Sequence, residues 1–177
     1  MTKKILASLS LILLAALCAP AQTPAEWVKF SPPGSPHFSV LLPTEPQEKK
    51  ESKWQGPNGP YTGYMFASVA PTGEAYMVAW VDYEKKFDLN VQAELEANRD
   101  NFLKGLDAKL LSTTPIKLGA HPGIEFKAVV PGRADVVSRF YVVGRRPYGL
   151  SMVSPVGRDA SADRERFFSS FKLGAAE

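Results

Sequence analysis

The chain has two histidines, His37 and His121, so any metal or acid–base chemistry that needs imidazole must use them. His121 and Glu125 are four residues apart, the spacing of paired ligands on a helix face, but Pro122-Gly123 between them prevents a helix. A zinc-type site would need both histidines to meet in space beside a carboxylate. The ordinary reading makes His121-Pro122-Gly123 a turn and has His37 lead into a strand. Asp82 and Glu84 offer paired carboxylates for proton transfer, and a solvated strand end explains them equally well. Gly149-Leu150-Ser151 begins like the nucleophile elbow G-x-S-x-G, but the second glycine is replaced by Val153 and the run lies inside an expected strand. Ser169-Ser170-Phe171-Lys172 matches S-x-x-K. It closes an expected helix, where a lysine suits the negative end, whereas the penicillin-binding motif opens one. The run Gly56 to Pro60, GPNGP, has glycines for a phosphate cradle, but its prolines remove backbone donors and a strand follows it. These patterns predict no catalytic residue, no metal site and no cofactor.

Three arginines stand out as surface candidates for an anionic ligand or a protein partner. Arg133 lies in the turn PGRAD, and Arg145 and Arg146 lie in GRRPYGLSMVSP. Gly144 and the two arginines fit a hairpin tip, where charge also follows from exposure alone. Tyr148, Leu150 and Met152 alternate inward from that tip, which assigns the tyrosine to a sheet.

The elements that must position these residues begin after a leader. Lys3 and Lys4 precede an apolar run from Ile5 to Leu17, and Ala19-Pro20-Ala21 offers a small-x-small cleavage site. That is the layout of a secretory signal peptide over residues 1–21, with export to the periplasm or beyond expected. Cys18 suggests an alternative, a lipid-anchored product, though Leu17 and Ala15 fit a lipidation signal poorly. Cleavage after Ala21 leaves no cysteine, so no disulfide, thiol nucleophile or thiolate ligand. The chain carries 21 basic and 18 acidic residues, and two of the basic ones leave with the leader. The near-neutral remainder argues against nucleic acid as a partner. No later apolar run is long enough to span a bilayer.

Residues 22–36 form a lead-in with a short strand at Trp27–Phe30, and residues 37–174 read as one domain. Strands are expected at His37–Leu42, Gln47–Trp54, Tyr61–Ala70, Glu74–Tyr83, Lys109–Leu118, Gly123–Val130, Val136–Val143 and Tyr148–Val153. Within the Glu74–Tyr83 segment both faces are apolar, Tyr76, Val78 and Trp80 on one and Ala75, Met77, Ala79 and Val81 on the other. Such a strand is expected to be covered on both sides. Asn90 caps a helix running to about Leu106, whose stripe of Val91, Leu95, Phe102 and Leu106 faces a core. A last helix from about Ser161 to Phe171 turns Phe167, Phe168 and Phe171 toward the sheet. Short turns between consecutive strands imply antiparallel pairing. The expected class is α+β, an antiparallel β-sheet flanked by helices in an α/β/α sandwich.

This order, with the phrases FSVLLP (Phe38 to Pro43), HPGIEF (His121 to Phe126), RFYVVGRRPYGLSMV (Arg139 to Val153) and FFSSFKL (Phe167 to Leu173), resembles the PsbP-like superfamily, which includes many small exported bacterial proteins. The likeness spans roughly Phe38 to Leu173; Pro147 departs from the usual pattern before the hairpin tyrosine. The resemblance implies an antiparallel sheet between helices and no shared catalytic residues. The expected function is an exported, non-enzymatic binding or accessory protein of the bacterial cell envelope that contacts an envelope protein partner. The alternative is a small-ligand carrier or hydrolase-like enzyme with a pocket between sheet and helix.

Overall fold

The computed structural model describes residues 26–34, 38–56, 59–84 and 87–174. The expected leader, Cys18 and His37 lie outside them. The elements run β1 (Val28–Phe30), β2 (Phe38–Leu42), β3 (Glu48–Gly56), β4 (Gly59–Val69), β5 (Ala75–Tyr83), α1 (Val91–Leu106), β6 (Lys109–Leu118), β7 (His121–Val130), β8 (Ala134–Val143), β9 (Arg146–Pro155), α2 (Ser161–Ser170) and β10 (Lys172–Leu173). Seven strands form one antiparallel sheet in the order β3-β4-β5-β9-β8-β7-β6, and a three-stranded sheet has the order β1-β2-β10.

Local chemistry explains most of these elements. The β8–β9 hairpin closes Val143 onto Arg146 across Gly144-Arg145. Gly144 there has φ 61°, the positive value that a Gly-X two-residue turn requires and that matches strand twist. Helix α1 starts where Asn90 Oδ1 accepts a bond from the Ala93 N–H at 3.0 Å. It ends at Asp107, which takes the left-handed conformation with φ 53°. Pro147 is tolerated within β9 because the pairing with β5 stops at Tyr148, opposite Trp80.

The expected α+β class and its α/β/α sandwich are corrected here. Strand makes up 56% of the described residues and helix 18%, in two helices, so the fold is β-rich. The reason lies in the short strands. One face of the large sheet, the packed face, is covered by the small sheet together with α2, so strands take much of the layer a helical sandwich would give to helices. On it Phe38, Val40, Leu42, Tyr76, Val78, Leu150, Met152 and Phe167 are all buried. Its rings interlock: Phe38 meets Trp80 at 5.5 Å and Tyr76 meets Phe167 at 5.2 Å, both edge to face. Across the sheet lies the open face, where α1 packs over β7 and β8 through Leu95 and Leu103 against Phe126, Phe140 and Val142. The side of this face formed by β3, β4 and β5 extends beyond the helix. Covering of β5 on both sides is therefore corrected as well: Tyr76, Val78 and Trp80 are buried, while Ala75, Met77, Ala79 and Val81 are half-exposed.

Candidate functional site

The uncovered part of the open face forms a groove of about 380 Å³ between the sheet and the flank of α1. The strand register builds its floor. Met65 pairs with Ala79 and Ala79 with Gly149, so two small residues lie side by side across β5 and β9. In the next row Met77 pairs with Ser151 and Ser151 with Ser138. The buried hydroxyls of Ser138 and Ser151 bond each other at 2.9 Å, which satisfies both without a bulky side chain. Small residues lower the floor, and Met65, Met77, Phe102 and Phe140 rise around it.

Two glycines allow aromatic rings to lie flat against the sheet. A Cβ on Gly63 would stand 2.7 Å from Trp54 Cζ3, and one on Gly149 would stand 2.9 Å from Phe140 Cε1. Trp54 thus rests over Gly63 as a wall of the groove while staying 48% exposed. Its ring stacks on Tyr61 at 5.5 Å, and Tyr61 continues to Tyr83 at 5.6 Å. Tyr83 Oη donates to Glu94 Oε1 at 2.6 Å, fastening this aromatic row to α1. Burial, then the bond to Glu94, pushes the Tyr83 phenol pKa well up. Asn98 Nδ2 donates to the same Glu94 oxygen at 2.7 Å, and Asn98 and Asn101 form the polar lip on the helix side. On the β3 side the lip carries Lys50 and Ser52.

The structure scatters the residues that sequence patterns singled out. His121 opens β7 opposite Leu118, away from the groove, and Glu125 is bound by Arg139 Nε at 2.7 Å. Because β7 is a strand, His121 and Glu125 are separated along it by about 13 Å, at ~3.3 Å per residue. Among the described residues no group of three or more His, Cys, Asp or Glu side chains is arranged to hold a metal ion. Ser151 lies in the groove floor, tied to Ser138 and not on an elbow. Ser169 lies in the last turn of α2, and Lys172 belongs to β10, paired with Ser39. Glu84 lies past the end of β5, where its N–H donates to Pro60 O at 3.2 Å.

Arg146 and Asp82, picked out separately, are one ion pair at 2.5 Å across neighbouring strand ends. They line a second, polar depression of about 270 Å³ together with Arg145. Asp82 offsets the charge of Arg146, which weakens this tip as an anion site. Arg133 is exposed in the β7–β8 turn, where its N–H donates to Val130 O at 3.0 Å. The structure brings Arg145 and Arg146 together and leaves Arg133 in a separate turn.

Sequence reasoning missed Lys50, Trp54, Gly63 and Phe102 as one site. The available sign was the apolar second face of β5, Ala75 to Val81, read as a covered surface. Comparison with known protein families and with curated proteins yields no match to this chain.

Proposed function

We propose that the chain is a binding module that holds a small, mainly apolar ligand in the groove between α1 and the β3–β5 side of the sheet. One observation carries this reading: an apolar hollow with a floor of small residues and aromatic walls, on a sheet whose other face is packed at β5 and β9 under the small sheet and α2. Its volume falls within the roughly 300–1,000 Å³ of small-molecule sites. The described lining holds no histidine, cysteine or carboxylate, so Ser52 and Ser151 have no imidazole or carboxylate base in it, which favours binding over catalysis. The Lys3 to Ala21 pattern supports export, and the amino-terminal sequence of the mature product, expected to start at Gln22, tests it.

The groove is tested by titrating the wild-type chain and Ala79→Phe with a panel of small apolar compounds by calorimetry. Binding by the wild type and its loss in the folded variant is expected; no binding by either ends the reading. A second reading, contact with an envelope protein, is favoured by the β6 edge, where Leu110 and Leu111 are 42% and 65% exposed. Crosslinking in the native envelope tests it, with Leu111→Lys expected to abolish the adduct.

A further inference from the structure

Resting on that reading, we infer that the groove selects a small amphipathic acid: a carboxylate head at Lys50 and an apolar body over the Ala79–Gly149 floor. The charges at the groove are unequal. Among the described residues of the lining, Lys50 is the one charged side chain and none is a carboxylate. On α1, Glu94 already accepts from both Tyr83 and Asn98. Glu48 shares the Lys50 face of β3, opposite Ala67, but lies outside the lining. Lys49 points to the other side, 5.7 Å above the Phe66 ring. Register therefore sends one lysine of the Lys49-Lys50 pair to the groove. Lys50 pairs with Met65, and Met65 pairs with Ala79, so Lys50 borders one end of the apolar floor.

A ligand lying along that row meets positive charge at the β3 end and Phe140 and Phe102 at the other. A neutral apolar ligand would gain nothing from Lys50, and a cation would be repelled by it. An anionic head joined to an aliphatic or aromatic body satisfies both ends. Because Lys50 is exposed, its contribution is that of a surface ion pair, worth about a threefold to fivefold preference at low salt.

The experiment uses the full chain with octanoate and octan-1-ol, which share a body and differ in the charge of the head at pH 7. Dissociation constants are measured by calorimetry and by quenching of tryptophan fluorescence for the wild type, Lys50→Met and Lys50→Glu. The wild type is expected to prefer octanoate about threefold to fivefold, Lys50→Met to bind both equally, and Lys50→Glu to prefer the alcohol. Raising salt should shrink the wild-type preference. Equal binding of both by the wild type, or a preference for octanoate that survives in Lys50→Met, overturns the acid selectivity while leaving the groove a ligand site. Failure of both compounds to bind overturns the groove reading and the inference together.

Discussion

The two faces of the large sheet are made from the same strands and have opposite fates. On the packed face β5 and β9 present Tyr76, Val78, Trp80, Tyr148, Leu150 and Met152, all buried under the small sheet and α2. On the open face the same two strands present Met77, Ala79, Val81, Gly149 and Ser151 to a groove. Large residues in register fill space and cement a layer; small residues in register leave a hollow. The chain thus separates stability from recognition by strand parity, one residue out of phase.

The largest test of that separation is Leu150→Ala. It empties a fully buried position on the packed face and should cost roughly 2–5 kcal/mol in urea unfolding, whereas Met77→Ala on the open face should cost under about 1.5 kcal/mol. Equal losses would break the comparison. Next is the carboxylate at the margin of the packed face. Glu74 is fully buried and accepts from Arg158 and Thr72, while Arg158 is 40% exposed. Arg158→Ala leaves that carboxylate without its charged partner and should lose about 2 kcal/mol, less than for a deeply buried pair because water reaches the arginine side.

Alkali sharpens the contrast further. Burial holds the phenols of Tyr76, Tyr141 and Tyr148 above their ordinary value of 10.0. The folded chain then keeps protons that the unfolded chain releases, so this stabilisation is intact below pH 10 and fades as pH rises beyond it. Tyr76→Phe should move the alkaline loss of stability to higher pH, and at neutral pH it removes a hydroxyl that has no partner among the described residues. The smallest expected stability effect is on the open face. Gly63→Ala must displace the Trp54 ring, costing less than about 1 kcal/mol because that ring is free to swing outward, yet weakening ligand binding and shifting Trp54 emission.

Much of the secondary structure was legible in residue patterns. Asn90 announced α1, and Gly144 announced the hairpin that carries Arg145 and Arg146. The layers were not legible. β1 follows the short strand expected at Trp27–Phe30, but β10 has two residues, too few for periodicity to register, and it pairs with β2 across most of the described chain. The small sheet that β10 completes lies with α2 over the packed face, where the expected sandwich had only helices. The groove was hidden for a related reason. Alternation along β3 puts Lys50, Ser52 and Trp54 on one face, and only the pairing with β4 shows that this face is the groove's. Asp82 and Arg146 likewise carry no sequence sign of being partners, being 64 residues apart.

The β2–β10 junction also sets a timetable for the molecule. Ser170 Oγ accepts the Leu41 N–H at 2.8 Å across 129 residues of chain, and Lys172 and Leu173 then zip onto Ser39 and Phe38. Loop closure over that span is slow and is repaid only by contacts formed at the end. A chain without Phe171 to Leu173 could form the hairpins of the large sheet but could not seal the aromatic layer. Sealing of the aromatic layer therefore waits on residues far along the chain from β2, and removing Phe171 to Leu173 should do more harm than their number suggests.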